Sequence, residues 1–338
     1  QEIKLQIALR QCPQFWQTPP LKTVPVDFKE RSKFVINTDS HTGFERFVRD
    51  LLPEIIPTCF LEGYQQLSKQ AEGLLWPSKP KCIFSSNNYD TNEIFKAWVG
   101  SKVELGVPYF IGQHGNNFGT MIGVSKQAEQ VSADKFFTWG WDNGNIKNVP
   151  SFIVKNTDQK TKINRHRGGL LLVEMHAPFM ESLCFLSLDD HTHEFGIYQE
   201  QQFRFVESLN ETIQSKVTVR LHDGWTHTLW SEDRRWNDRI PSIHLDTGNG
   251  SMQSLIAKSR LVVYSYDSTG ILESLASNIP TMCFWNGGLN HVLPIAKPYY
   301  ELLRGAGILA DSPEYAAQLV AQYWDNIDEW RESEQVQS

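Results

Sequence analysis

Cysteine is scarce in this sequence of 338 residues, and its positions follow no pairing pattern. The five cysteines include no CxxC pair and no Cys/His spacing typical of a metal site. Neither a disulfide framework nor a zinc module is therefore expected, and a reducing cytoplasm fits this usage best. Cys82 and Cys283 lie in apolar runs typical of strands, where a free cysteine acts as a small buried hydrophobe.

A net positive charge and long apolar runs are also absent from the sequence. The formal net charge is −7 and the pI is about 5.8, which argues against a nucleic-acid partner because phosphate contacts need a basic face. No apolar run approaches membrane-spanning length, and no signal peptide is visible. The chain opens on Gln1 in a pattern that could already lie within a domain, so we expect a piece of a longer protein, truncated at its start.

Two common nucleotide-binding motifs are absent as well. The sequence has neither GxxxxGK[ST] nor GxGxxG, so the P-loop and dinucleotide interpretations lack support. The stretch "DDHTHE" at 189–194 mixes metal-ligand types within a polar, turn-rich segment, and we interpret it as a solvated loop. We therefore expect no metal and no cofactor.

What the sequence does contain is a repeated alternation of apolar strands and amphipathic helices. Hydrophobic residues make up 40% and charged residues 21%, as in ordinary globular proteins, and the length suggests about two domains. The alternation predicts an α/β fold with parallel sheets in two Rossmann-like domains. The predicted domains are 1–145 and 165–311, joined across the polar, turn-rich run 142–167, and a helix over 312–333 begins the final segment 312–338.

The first candidate loop is "GQHGNNFG", from Gly112 to Gly119, directly after a predicted strand. In an open α/β sheet, ligands bind where strands end, and a histidine there is suited to act as a general base. We predict that His114 is the catalytic base, with Glu129 as the next candidate. Gln113, Gly115, Asn116 and Asn117 are predicted to line the cleft as acceptor candidates, with Asn116 and Asn117 able to contact acceptor or donor hydroxyls. The structural alternative is a loop histidine bonded to a carbonyl.

The second candidate loop is "VRLHDGW", where Arg220, His222 and Asp223 follow another predicted strand. Arg220 or His222 could bind a phosphate, the first through its planar fork and the second by donating from a ring nitrogen. Alternatively, Arg220 and Asp223 form a surface ion pair. All three are predicted donor-binding residues.

The third candidate loop is "YSYDSTGILES", in which Ser268 and Thr269 stand where a helix should begin. Free N–H groups and hydroxyls at a helix start bind anions well. Glu273 lies one turn further and could accept hydrogen bonds from ribose hydroxyls. The alternative for each is ordinary capping chemistry. Glu174 and His176, at the end of the predicted strand "GGLLLVEM", are further candidates for the cleft.

These loops, in this order, resemble a family of transferases encoded in bacterial O-antigen and other surface-polysaccharide clusters, first noted in Leptospira. The matching stretches cover most of residues 80–325; they are "IFKAWVGSKVELGVPYFIGQHGNNFG", "EQVSADKFFTWGW", "VRLHDGW", "RLVVYSYDSTGILESLASNIPTMCFWN" and "YYELLRGAGILADSPEYAAQ". The family resembles the glycosyltransferase-B superfamily, with two Rossmann-like domains facing across a cleft. It is more distantly similar to capsule Kdo transferases and teichoic-acid glycerophosphotransferases.

The resemblance implies the base role for His114 and phosphate contacts for His222, Ser268 and Thr269. Two departures are visible: His222-Asp223 stands where the distant relatives usually have His-Pro, and His114-Gly115-Asn116 where the family usually reads "HGG". It implies a metal-independent glycosyltransferase that moves a sugar from a nucleotide-activated donor to a glycan or lipid-linked glycan acceptor.

The same resemblance implies that the protein acts in the cytoplasm and associates peripherally with the inner membrane. Among donor nucleotides CMP is favoured, and UDP, GDP and CDP stay open. Two other functions stay open as well, a nucleotide-sugar epimerase of the same fold and a non-catalytic module that binds a nucleotide or a glycan.

Overall fold

The structure is a computed structural model that describes residues 19–34, 36, 43–122, 128–153, 166–175, 195–222, 224–248, 250–285 and 287–337. The chain divides into two compact units. The first unit comprises Gln1–Gly112 with Ala133–Lys135, and the second comprises Gln113–Ser132 with Phe136–Ser338. The loop after the second strand thus belongs to the second unit. The domain ranges predicted from the sequence stay predictions.

The first sheet has the strand order β1-β2-β3-β4, which is also the order along the chain. Its strands are β1 (Ile83–Ser85), β2 (Tyr109–Gly112), β3 (Lys135–Thr138) and β4 (Asn148–Pro150). The pairs β1–β2 and β3–β4 are parallel. The helices described before β3 in the sequence are α1 (Phe28–Arg31), α2 (Gly43–Ile55), α3 (Tyr64–Glu72), α4 (Asn88–Thr91), α5 (Glu93–Val103) and α6 (Ala128–Ser132), with a 3₁₀ turn at Thr58–Phe60.

The second sheet lies wholly in the second unit and has the order β10-β9-β8-β5-β6-β7. Its strands are β5 (Gly169–Val173), β6 (Val217–Arg220), β7 (His244–Asp246), β8 (Ser259–Tyr264), β9 (Thr281–Phe284) and β10 (Leu309–Ala310). Every neighbouring pair in this sheet is parallel. The prediction of an α/β fold with parallel sheets is therefore confirmed.

The helices described after β5 in the sequence connect and follow the strands of this second sheet. They are α7 (Phe195–Glu207), α8 (Glu211–Gln214), α9 (Glu232–Arg239), α10 (Met252–Lys258), α11 (Thr269–Ala276), α12 (Lys297–Gly305), α13 (Pro313–Tyr323), α14 (Ile327–Glu332) and α15 (Glu334–Gln337), with a 3₁₀ turn at Trp225–His227. None of the described helices has both the length and the apolar character needed to cross a bilayer.

The core of the second unit is built on the central strands of its sheet. Leu170, Leu171 and Leu172 of β5 are each at most 1% exposed, and β9 and all of β8 except Arg260 are also buried. Continuous apolar runs of this kind are typical of parallel strands that are covered on both faces. Cys283 is buried in β9 as expected, but Cys82 is exposed, because it precedes β1 instead of lying within it.

Two expectations about secondary structure are corrected. The single helix predicted over 312–333 is broken into α13 and α14. Trp330 stacks on Tyr323 with ring centroids 5.2 Å apart, and its indole N–H donates to the Ala306 carbonyl at 3.0 Å. Both contacts lie beside the bend and turn at residues 324–326 that separate the helices. The run 142–167, expected to be turns, contains strand β4, which pairs with β3.

Candidate functional site

The strand order of the second sheet defines where a ligand would bind. Counting from β5, the chain builds outward through β6 and β7, then returns to the other side of β5 with β8, β9 and β10. This is the order of the doubly wound nucleotide-binding fold, whose ligands lie beyond the carboxyl ends of the strands where the direction reverses. Here that point is the gap between the ends of β5 and β8, at Val173 and Tyr264, which are paired in register.

Helix α11 begins just beyond this reversal point. Its N-cap is Ser268, whose Oγ accepts a hydrogen bond from the Gly270 amide at 3.0 Å, so the capping alternative describes this hydroxyl correctly. A Cβ at Gly270 would lie 2.6 Å from the Tyr264 ring. The glycine thus lets the start of the helix approach the end of β8. Ser268 is buried and Thr269 is half-buried.

The loop after β2 is held by an amide clamp. Gln113 is buried, and its Oε1 accepts hydrogen bonds from the Trp139 amide at 2.9 Å and from the Trp141 indole N–H at 2.7 Å. Its Nε2 donates to the Gly115 carbonyl at 2.6 Å. Both ends of this amide therefore fix the loop around His114. A contact between Gln113 and an acceptor stays a prediction.

His114 is half-buried, and its ring packs edge-on against Phe118 with ring centroids 5.3 Å apart. Beside it, Gly115 approaches the third loop: a Cβ there would lie 3.2 Å from Thr269 Oγ1. Gly115 was predicted to line the cleft, and the group that lies close to it in the structure is the Thr269 hydroxyl. Asn117 is half-buried, and its carbonyl accepts hydrogen bonds from the amides of Thr120 and Met121.

Asn116 joins this loop to the third one. It is 3% exposed; its side-chain amide donates to Asp267 Oδ1 at 2.9 Å and its backbone N–H donates to Thr269 Oγ1 at 3.2 Å. The Thr269 hydroxyl lies 3.3 Å from Asn116 Oδ1, to which it donates. The first and third candidate loops, far apart in the sequence, are thus in direct contact within the second unit.

Asp267 is a site residue that the sequence did not reveal. Its Oδ2 accepts hydrogen bonds from His291 Nε2 at 3.0 Å and from the Tyr300 hydroxyl at 2.7 Å, in addition to the Asn116 bond on Oδ1. The side chains of Asp267 and His291 are 7% and 8% exposed. Burial and the Asp267 carboxylate both raise the pKa of Tyr300, burial being the larger effect, so its hydroxyl stays protonated and donates.

The second candidate loop follows β6. Arg220 forms its ion pair with Asp246 on the neighbouring strand β7, directly opposite in register. The predicted alternative partner, Asp223, lies outside the described residues. His222 Nδ1 accepts the Gly224 amide at 3.1 Å, so in the neutral ring the proton is on Nε2. That is the form of histidine that can donate to a phosphate oxygen.

Arg220 and Tyr264 are both paired in register with Val173, on opposite sides of β5. The ends of β6 and β8 are therefore two strand spacings apart, about 10 Å. The second and third loops lie at the same edge of the same sheet. A shared phosphate contact by His222, Ser268 and Thr269 stays a prediction.

Glu174 is a buried acid at the end of β5. It is 4% exposed, and its Oε1 accepts the Trp236 indole N–H at 2.7 Å. Desolvation, with a smaller contribution from the nearby Glu232 carboxylate, raises its pKa from 4.5 to about 8. Burial likewise raises the pKa of the neighbouring Tyr198, whose hydroxyl accepts the Met175 amide.

The remaining predicted residues are less well defined. His176 lies outside the described residues, as does the "DDHTHE" stretch. Glu129 lies in helix α6, and Glu273 in α11 is half-buried. Within the described ranges, no group of three or more His, Cys, Asp or Glu side chains is placed to hold a metal ion. The predicted metal independence stays a prediction.

This arrangement can be compared with known proteins. The model of the LIC12162 family transferases matches residues 1–338. The chain belongs to this transferase family. The resemblance drawn from the three loops is thereby confirmed, whereas the distant similarity to Kdo transferases and glycerophosphotransferases stays a prediction. No curated protein matches the chain.

Two solved structures are similar to this family member. One is the crystal structure of Acinetobacter baumannii MurG, with 12% sequence identity and a TM-score of 0.45 over 88% of this chain and 84% of that one. The other is CalG4, the calicheamicin glycosyltransferase, with 10% identity and a TM-score of 0.40 over 88% of this chain and 77% of that one.

Proposed function

We propose that this transferase moves a sugar from a nucleotide-activated donor to a surface-glycan acceptor, in the manner of the glycosyltransferase-B enzymes. The observation that carries the proposal is the reversal of strand order between β5 and β8, with the start of α11 lying directly beyond it. A helix N-terminus at that place is suited to bind the donor phosphates. Neither a P-loop nor a dinucleotide motif competes for the role.

The residues divide into two roles. His114 takes the proton of the acceptor hydroxyl while that oxygen attacks the anomeric carbon of the donor sugar, and the bond from this carbon to the nucleotide phosphate breaks. The electron pair of the broken bond stays on the phosphate. This added charge is stabilised by the Nε2–H of His222, the hydroxyl of Thr269 and the start of α11. Arg220 fixes the end of β6 beside them through its ion pair with Asp246.

The finer parts of the proposal come from the family resemblance. They are an acceptor of the O-antigen or capsule type, which can be lipid-linked, a cytoplasmic location with peripheral association at the inner membrane, metal-independent transfer, and CMP as the favoured nucleotide. Ser268, Glu273, Asp223, Glu174 and His176 are kept as donor-side or cleft candidates. Asn117 is kept as an acceptor candidate.

A nucleotide panel tests the donor site. CMP, UDP, GDP and CDP are each added to the protein, and the unfolding temperature is measured. A nucleotide at one hundred times its Kd should add about 2.7 kcal/mol to the free energy of unfolding. If none of the four raises the unfolding temperature, the proposed donor site is wrong.

The change His222→Ala is expected to weaken binding of the responding nucleotide by about tenfold to a hundredfold, the cost of losing a hydrogen bond to a charged group. The matched control is His244→Ala, which removes an exposed histidine from the neighbouring strand β7 and should leave the affinity unchanged. Calorimetric titration gives both values. Equal affinities in the two variants would remove His222 from the donor site.

Release of free nucleotide separates transfer from the two alternative functions. A transferase releases the nucleotide when an acceptor glycan is added to the donor-loaded protein. An epimerase changes the sugar of the donor without an acceptor. A non-catalytic module binds the nucleotide and turns nothing over.

A further inference from the structure

Three donors converge on one buried carboxylate next to the proposed donor site. Asp267 immediately precedes the N-cap of α11 and accepts hydrogen bonds from Asn116, His291 and Tyr300. These donors come from the loop after β2, the segment after β9 and helix α12. A buried acid satisfied in this way fixes the elements that carry its donors, because removing one partner leaves an uncompensated buried group.

The same loop after β2 is joined to the segment after β9 by backbone bonds. The Ile122 amide donates to the His291 carbonyl at 2.9 Å, and the Leu293 amide donates to the Thr120 carbonyl at 2.7 Å. Met121 and Val292 form an antiparallel bridge between them. The carboxyl end of the loop is thus held by backbone bonds, whereas its middle is held by Asn116.

We propose that the hydrogen bond between Asn116 and Asp267 is a positioning device that holds His114 in place relative to the Thr269 hydroxyl. Through this bridge, binding of the nucleotide donor changes the His114 loop, residues 113–122. His114 lies two residues before Asn116, and Thr269 lies two residues after Asp267. The inference rests on the proposed function in taking Thr269 as a donor-side residue. Asn116 and Asp267 are positioning residues, since neither needs to touch the substrate.

The chemistry of the Thr269 hydroxyl supports this coupling. It has one proton, which it donates to Asn116 Oδ1 over 3.3 Å, a long and therefore weak hydrogen bond. A donor phosphate oxygen is a stronger acceptor, so on its arrival the Thr269 hydroxyl donates to the phosphate instead of to Asn116 Oδ1. The Asn116 side chain then keeps its bond to Asp267. The bond that changes is the one from the backbone N–H of Asn116 to the same Thr269 hydroxyl oxygen.

An exchange of the two side-chain types tests the bridge. Asn116→Asp places two carboxylates against each other. Asp267→Asn leaves one acceptor oxygen where two are needed, so the N–H₂ group at 267 must face either the Asn116 amide or the His291 and Tyr300 donors. The double variant restores every bond with reversed polarity: the amide at 267 donates to the carboxylate at 116, and its oxygen still accepts from His291 and Tyr300. Only the charge has moved.

Amide hydrogen exchange of residues 113–122 is the measurement. In each single variant, the backbone amide hydrogen of residue 116 is expected to exchange about tenfold to a hundredfold faster than in the wild type. This is the range for losing a hydrogen bond to a charged group. The double variant should return close to the wild-type rate. Gln322→Ala, which removes an exposed amide from α13, is the control and should leave exchange unchanged. If the double variant exchanges as fast as the single ones, the bridge is overturned.

Coupling to the donor is tested with the nucleotide that responds in the panel of CMP, UDP, GDP and CDP. In the wild type it should change the exchange of the Asn116 amide, and in Asn116→Ala it should bind but leave the rest of the His114 loop unchanged. An equal response in both proteins overturns the coupling. If no nucleotide binds the wild type, the coupling falls together with the proposed function, and the unliganded exchange rates decide the bridge alone.

Discussion

Replacing His114 by alanine is expected to lower the rate of sugar transfer by about 10²–10⁴-fold, the usual range for a lost general base. The affinity for the donor nucleotide should be nearly unchanged. The reason is the division of roles at the site: the hydroxyl and N–H groups proposed for the phosphates belong to α11 and to the loop after β6, whereas His114 lies in the loop after β2.

The surroundings of His114 make this test interpretable. The loop is fixed by the Gln113 clamp on one side and by the Asn116 contacts on the other. Removing the imidazole between them leaves these bonds in place, so the loop should keep its shape. The measurement is the initial rate of transfer together with nucleotide affinity, on the same variant.

The control for this change is His227→Ala, which removes an exposed histidine from the 3₁₀ turn after β6. It should transfer at the wild-type rate. If His114→Ala also keeps near-normal turnover, the histidine only shapes the loop. If it loses nucleotide binding instead, His114 belongs to the donor site and Glu129 becomes the next candidate for the base.

The second large effect is a pH dependence of stability that comes from Glu174. Its pKa is about 8 in the folded protein, against an ordinary value of 4.5, because its carboxyl is removed from water at the end of β5. Below pH 4.5 the group is protonated in both the folded and the unfolded chain, so its stabilising contribution is fully present.

Between pH 4.5 and about 8 the unfolded chain loses this proton while the folded chain keeps it. The folded state then binds more protons, so the free energy of unfolding falls as the pH rises, by about 1.4 kcal/mol per pH unit at most. Above pH 8 both states are ionised and the contribution has been lost. The variant Glu174→Gln cannot titrate, and its amide oxygen can still accept the Trp236 indole N–H.

Urea unfolding at a series of pH values measures this effect. Relative to wild type, Glu174→Gln should gain several kcal/mol of stability between pH 5 and pH 8, and the difference should level off above that range. Glu211→Gln, which changes an exposed acid in α8, is the control and should follow the wild type throughout. Parallel curves for wild type and Glu174→Gln would show that Glu174 does not hold its proton in the fold.

Much of the fold could be predicted from the sequence because the relevant signals are local. The runs "LLLV", "LVVY" and "MCF" are continuous and apolar, and they make up most of β5, β8 and β9. A strand buried on both faces needs apolar residues at every position, so its own sequence predicts it. Ser268 was predicted at a helix start for the same kind of reason, since an N-cap depends on the next few residues only.

Local signals failed where a distant contact decided the structure. Strand β4 has the sequence "NVP", which is typical of a loop, and it becomes a strand by pairing with β3. Beyond the break between α13 and α14, the Trp330 indole N–H donates to the carbonyl of Ala306, the residue that follows α12. Arg220 pairs with Asp246 because β6 and β7 are neighbours in register, and no spacing along the chain indicates that pair.

The candidate site divides in the same way. The loops that carry chemistry-bearing side chains could be found without the structure, because each follows a strand that is recognisable from its own residues. Three features became visible only in the folded chain: the reversal of strand order between β5 and β8, the contact of Asn116 with Thr269, and the three donors to Asp267. A buried polar group takes its hydrogen-bond partners from the elements that pack against it, wherever these lie in the sequence. Asn116 and Asp267, which bond to each other, are 151 residues apart in the chain.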